Sequence, residues 1–425
     1  MTTLDDHEAP GVPFLTRRRA LGLGGVIGLA TLAGCSGTAV AGSTGSSSGT
    51  ASPNGDLAAG TYTATFTSGS DAGGPGGSSG TQALSGAYLV DGTKATIDGG
   101  IWASTTSDQN VFLVVNGGSL TIAKATITKS GDSSNEDACN FYGLNSAILV
   151  VGEGSTATIT DCTVTTTSEG SNAVFAASSG AITIDGITIR TSRNSSRGLD
   201  ATYGGTVTAK DVDIDTTGAH CACLATDRGN GTITVSGTSK LASSGDGSPL
   251  VYSTGDISVT GATGRATAAQ TMVIEGKNKV AITDCTFTTT GTEGMMIYQS
   301  FSGDAADSDA TAEKSSMVIS NSSITSTSDK PMIYVTNTTC TVEVTSSKLN
   351  HKASAPLLSL AADRWGTEGS NGGHAALTLT KCTVSGALKA DDTSSATVAL
   401  KGSRLVGASS GAIAVNKDAA STWKS

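Results

Sequence analysis

Short runs in which apolar and polar residues alternate recur along almost the whole chain. LTIAKATIT from Leu120, ATITDCTVT from Ala157, ITIDGITIR from Ile182, VTAKDVDID from Val207, VAITDCTFT from Val280 and LTLTKCTVS from Leu377 share one form. Each is an alternating run, a polar or glycine break, and a second alternating run. Alternation with a period of two predicts β-strands with one buried face. A second, more apolar mark precedes each motif: AILVV at Ala147, AVFAA at Ala173, GLDAT at Gly198, CLATD at Cys223, PLVYS at Pro249, MVIEG at Met272, MMIYQ at Met295, PMIYV at Pro331 and PLLSL at Pro356. Their starts are spaced by 26, 25, 25, 26, 23, 23, 36 and 25 residues. The long interval holds SGDAADSDATAEKSS, a polar insertion of the kind repeats accept in one loop.

A repeat near 25 residues with about three short strands and no helical period predicts one coil of a right-handed parallel β-helix. Leucine-rich repeats need a leucine skeleton that is absent, and propeller blades are longer. The count of marks, with AYLVDG at Ala87, VFLVVNG at Val111 and ATVALKGS at Ala396, gives roughly eleven or twelve coils. TYTATFT at Thr61 is expected to be an opening strand that covers the N-terminal end, because exposed sheet edges invite strand addition. The fold class is therefore all-β, a single-stranded parallel solenoid over residues 58–425, caps included, with no second domain. Aromatic residues make up only 4% of the chain, which suits a narrow core of stacked aliphatic side chains.

The N-terminal part reads differently. Arg17, Arg18 and Arg19 precede an apolar, glycine-rich run that ends in Leu32-Ala33-Gly34-Cys35. The run is too short to span a bilayer comfortably, and the pattern predicts a signal peptide over residues 1–34. Its end resembles a bacterial lipobox and its consecutive arginines a twin-arginine signal, which implies export and lipidation of Cys35. Membrane attachment through that acylated cysteine follows. Residues 35–57 are small and polar and read as a flexible tether. The net charge of −10 argues against nucleic acid, which requires a basic face.

Eight cysteines would suggest a disulfide framework if Cys35 were not set apart. Of the remaining seven (Cys139, Cys162, Cys221, Cys223, Cys285, Cys340 and Cys382), three recur in ITDCTVTTT, ITDCTFTTT and LTKCTVSG. A recurring repeat position indicates a small core residue rather than redox chemistry.

GLNSAILVV, GLDATYGGTVTA, HCACLATDRGNGTITV, SPLVYSTGDISV and IYQSFSGDA together resemble the adhesin-like right-handed parallel β-helix surface proteins of bacteria and archaea, within the pectin-lyase-like fold. The resemblance spans roughly residues 85–400. It implies display at the cell surface and adhesive or glycan-binding roles, and it supplies no catalytic set.

Three constellations compete for the function. His220, Cys221 and Cys223 lack the paired spacing of a zinc site, and both cysteines are expected in the core. Asp211 and Asp213, on one side of a strand, would suit calcium, but the glycine-aspartate turn of calcium-binding β-rolls is absent. Asp200 and Asp227 fall on adjacent coils with Arg197 and Arg228 nearby, an arrangement open to a polysaccharide lyase or hydrolase. The same Asp-Arg pairing recurs at Asp363-Arg364, which favours a scaffold ladder. Finally, one column of residues, three places after each coil start when counted from Ser146 (two or three places into each mark), reads Leu149, Phe175, Asp200, Ala225, Tyr252, Glu275, Tyr298, Tyr334 and Ser359. Tyr252, Tyr298 and Tyr334 in a row with Glu275, Gln299, Asp227 and Arg228 would suit a glycan. The expected function is binding of glycan or another surface ligand without catalysis. Enzyme and structural envelope protein are the alternatives.

Overall fold

The computed structural model describes residues 57–66, 80–228, 230–300 and 314–425. In it each predicted repeat forms one turn of a parallel β-solenoid, and about 12 turns stack along one axis. The predicted signal segment, Cys35, nearly all of the tether and most of the polar insertion lie outside the described residues.

The short apolar marks build a 14-stranded sheet, in which Ile148–Val151, Val174–Ala177, Leu199–Thr202, Leu224–Thr226 and Val251–Ser253 are successive members. The alternating motifs build a second, bent sheet that closes the tube. Its strands Thr156–Thr166, Ala181–Thr191 and Thr206–Thr216 each turn a corner at a single residue of positive φ, namely Asp161 (50°), Gly186 (80°) and Asp211 (55°). The polar or glycine break seen in the sequence is this corner, since glycine and aspartate enter the left-handed region at little cost. The next residue of each strand (Cys162, Ile187, Val212) points inward and stacks in register on its neighbour.

The recurring cysteines Cys162, Cys285 and Cys382 are thus corner core residues, and the seven cysteines of the described residues are all unbridged. Burial pushes the thiols of Cys139, Cys221, Cys223 and Cys340 up to about 12, so they stay protonated. Cys223 belongs to the axial core, whereas Cys221 does not. Its sulfur accepts from the Ser196 N–H at 3.0 Å, just as Ser248 Oγ accepts from the Cys221 N–H at 2.9 Å. It occupies a serine's place in a stack of capped turns.

The predicted opening strand is Gly60–Phe66, which pairs antiparallel with Gly80–Asp91. At the other end Ala412–Lys417 and Thr422–Lys424 are the last strands and are largely exposed.

One element has no counterpart in the sequence reading. Glu136–Tyr142 is a short helix, started by Asn135, whose side chain accepts from the Ala138 N–H, and ended by Gly143 at φ 73°. Seven residues are too few to show a helical period. The Asn–Glu–Asp start and the terminal glycine were the available signals. The helix lies on the outer face of the 14-stranded sheet and buries Leu149, Val151, Phe175 and Ala177 beneath Phe141, with Phe66 and Tyr203 alongside. Farther along the axis Trp365 covers Tyr252, Val273, Met296 and Tyr298 on the same face. From Ile148–Val151 to Met295–Tyr298 this sheet is therefore buried on both sides, and its strands show no alternation of buried and exposed residues.

Candidate functional site

The residues expected to form one surface row sit on this covered outer face. Leu149, Phe175, Asp200, Ala225 and Tyr252 align in successive strands as the sequence predicts. Beyond Tyr252 the alignment differs. Tyr252 meets Val273, then Met296 and Tyr334, while Glu275 and Tyr298 lie two residues along and align with Thr336. In MVIE and MMIY every residue is buried, so no alternation marks the phase from which the row was counted. A two-residue offset preserves the side of the sheet, and Glu275 and Tyr298 remain on the outer face.

These residues gather into two buried clusters. In the first, the Arg197 guanidinium lies 2.9 Å from Asp227 and 3.7 Å from Asp200, and it donates to Asn140 of the helix at 2.6 Å. Arg197, Asp200, Asp227 and Arg228 are 5%, 0%, 4% and 6% exposed. Burial, then the charge of Asp227, raises the Asp200 carboxyl well above the usual range, with Arg197 opposing. Arg228 stacks on the Phe141 ring of the helix, 3.9 Å from its centroid. Arg364 does the same on Trp365 at 4.7 Å. Arg228 therefore clamps the helix onto the sheet, whereas Arg364 packs on its own neighbour and Asp363 takes the contact with the sheet through Tyr334; Asp200, Asp227 and Arg228 are enclosed rather than presented along a groove.

In the second cluster the Glu275 carboxylate accepts from the hydroxyls of Tyr252, Ser300 and Tyr298, the last at 2.9 Å. Trp365 packs 5.2 Å from the Tyr298 ring. Burial and the Glu275 charge hold the Tyr252 phenol well above its usual range, and the Asp227 charge also acts on it, so the clusters adjoin. With Tyr252 and Tyr298 at 4% and 0% exposure, neither offers a ring face to a sugar. Tyr334 is half-buried and donates to Asp363 at 2.9 Å; the main-chain carbonyl of Gln299 accepts from the Asn337 side chain at 2.8 Å. Tyr252 and Tyr298 are thus packed in a seam, with Tyr334 and Gln299 half-buried at its edge.

Asp211 and Asp213 do not form a calcium pocket either. Asp211 is a corner residue whose carboxylate accepts from the Thr238 N–H at 2.6 Å, and Asp213 pairs with Arg190 at 2.7 Å. Among the described residues no group of three or more His, Cys, Asp or Glu is placed to hold a metal ion.

Among the described residues, two features open to ligands bear on function. A cavity of about 440 Å³ lies between the helix and the turns of the neighbouring rungs, lined by Glu136, Cys139, Glu169, Asn194, Ser195 and His220. Ser195 donates to Glu136 at 2.8 Å, and burial followed by the Arg197 charge holds His220 below its ordinary value of 6.5. The sequence reading placed His220 at a turn, where it is, but did not see Glu136 or Glu169 beside it.

The second feature is on the bent sheet. Thr96, Thr121, Thr158, Thr183, Thr208 and Thr234 align on six successive rungs, all exposed, and Ser258 follows. Ser119, Thr156, Ala181, Thr206 and Thr232 form a parallel column two residues earlier in the same strands. The result is a lattice of hydroxyls and methyls, spaced about 4.8 Å along the axis and about 6.6 Å across it, with Lys94 and Asp256 at the two ends of the second column and Asp98, Asp185 and Lys210 two residues farther along the strands.

The fold thus defines the class, a parallel β-solenoid with one covered and one open sheet. No protein-family model matches the chain, and no curated protein matches it. Among the described residues no helix is long and apolar enough to cross a membrane.

Proposed function

We propose that this chain is a non-catalytic, adhesin-like β-helix lipoprotein of the pectin-lyase-like kind. It is exported, anchored to the outer face of the membrane through Cys35, and holds an extended glycan along its threonine lattice. The observation that carries this reading is the register of six exposed threonines on consecutive rungs. A polysaccharide is itself a regular array of hydroxyls and C–H patches. A rigid lattice of matched chemistry engages several of its units at once, with little side-chain ordering cost because threonine has a single stiff χ1. The Gly- and Ser-rich tether would give the solenoid reach beyond the membrane.

Two measurements test the two halves. Retention on insoluble polysaccharides (peptidoglycan, chitin, cellulose) is expected to fall at least tenfold when Thr158, Thr183 and Thr208 are all changed to lysine. The Thr→Val triple variant is expected to lose less, since it keeps the shape and loses only hydrogen bonds of about 1 kcal/mol each. Full retention by the lysine variant removes the lattice as the binding surface. Cys35→Ser is expected to move the protein from the membrane fraction to the soluble one, and an unchanged distribution overturns the anchor.

A further inference from the structure

The cavity beside the helix is separate from the threonine lattice, and we infer that it is a subsite for a single hexose-sized sugar, with preference for one bearing an amino group. The inference rests on the glycan reading above and adds a second site to it. Its volume of about 440 Å³ falls within the range of small-molecule sites, roughly 300–1,000 Å³.

The chemistry of the wall selects the ligand. Ser195 spends its proton on Glu136 Oε1 at 2.8 Å and keeps its lone pairs for a ligand donor. Asn194 accepts from the Ala219 N–H through its carbonyl at 3.0 Å, which leaves its amide N–H₂ to donate. Donors and acceptors thus alternate over a short span, which complements vicinal hydroxyls, each of which gives one bond and takes another. Charge sharpens the choice. Glu169 is paired with Arg193 at 3.2 Å, whereas Glu136 has no cation within ion-pair distance among the described residues. Arg197, a buried cation whose charge acts on His220 of the wall, is engaged by Asp200 and Asp227. The wall therefore attracts an ammonium group and repels a uronate.

The backbone supplies a clean way to remove this chemistry. Gly170, Ser195, His220 and Gly247 each stand four residues before an aligned strand residue, and all have positive φ (65°, 51°, 58° and 58°). Two rungs use glycine there, the residue that adopts this conformation most readily. Of the turns that line the cavity, one has Gly170 at this place and the next two have Ser195 and His220. Changing Ser195 and His220 to glycine therefore deletes two wall side chains and leaves the turn at least as well accommodated.

The test is titration of the full chain with glucosamine, glucose and glucuronate, followed by calorimetry or ligand-observed magnetic resonance. Saturable binding is expected in the order glucosamine, then glucose, with none for glucuronate. Ser195→Gly/His220→Gly is expected to weaken glucosamine at least tenfold, and Glu136→Gln to abolish the preference for glucosamine over glucose. Retention on insoluble polysaccharide should be unchanged in both. No saturation in the unaltered protein, or identical affinities in the double glycine variant, overturns the subsite. A loss confined to the Thr158/Thr183/Thr208 lysine variant in the polymer assay, with monosaccharide binding intact, supports the subsite independently of the lattice. Loss of lattice binding alone cannot be produced by failure of the cavity.

Discussion

Replacing Arg197 with methionine is expected to lower the unfolding free energy by about 3–5 kcal/mol, the range for breaking a buried ion pair by removing one partner. The guanidinium ties three parts of the fold together: Asp200 on its own rung, Asp227 on the next, and Asn140 on the covering helix. Methionine fills much of the same volume, so the loss measures two carboxylates left without their cation in a dry interior. Denaturant midpoints should be combined with hydrogen exchange resolved by rung, because a solenoid need not unfold as one unit. The largest loss of protection is expected in Leu199–Thr202, Leu224–Thr226 and the helix. The sign with pH is set by Asp200. Its folded carboxyl holds a proton more tightly than in the unfolded chain, so its contribution is fully present below the unfolded value near 3.8 and is lost as pH rises toward the raised folded value. Asp200→Asn is therefore expected to remove that decline, and to restore part of the stability that Arg197→Met loses at neutral pH. A decline with rising pH that persists in Asp200→Asn would assign it to another group.

Phe287→Ala is expected to cost a similar 3–5 kcal/mol, but by a different route and with a specific rescue. Phe287 is fully buried in the axial core, and the rung below it places Gly264 at the aligned position. A Cβ on Gly264 would stand 2.9 Å from the Phe287 ring and 2.5 Å from Leu250 Cδ1. The glycine thus yields its space to the neighbouring ring, and one rung's missing side chain is filled by the next rung's large one. Gly264→Leu alone should therefore destabilise by overpacking, about 1–3 kcal/mol. Gly264→Leu combined with Phe287→Ala returns volume to the same layer and is expected to be more stable than the sum of the two changes. Additive losses in the double-mutant cycle, read from chemical denaturation, would show that the layers pack independently.

How much of this was legible beforehand depends on which side of a strand carries water. In the bent sheet one face is solvated, so alternation marked the strands, and the breaks at Asp161, Gly186 and Asp211 marked the corners. The solenoid and its number of turns followed from spacing alone. In the 14-stranded sheet both faces are covered, and runs such as MMIY carry no alternation from which to count. There Glu275 and Tyr298 stand two residues out of the row, which Tyr334 and Ser359 rejoin, and Tyr252, Glu275 and Tyr298 are enclosed. The threonine motifs were read correctly as strands, yet the lattice they form depends on six rungs stacking in register, a relation between residues about 25 apart that no local pattern contains.

The sequence by itself determined the repeat, the inward and outward sides of the solvated strands, the corner residues and the small side chains that fill the core. These follow from nearest-neighbour sterics and from the partition of apolar groups away from water, which each segment expresses independently. Only the tertiary structure decided what covers the outer face of the other sheet. A seven-residue helix and the Trp365 segment, distant in sequence, converge there, so Asp200, Asp227 and Glu275 became buried clamps. Burial by a remote segment is a property of the assembled chain, and it places these charged residues in the interior, in contact with the segments that cover them.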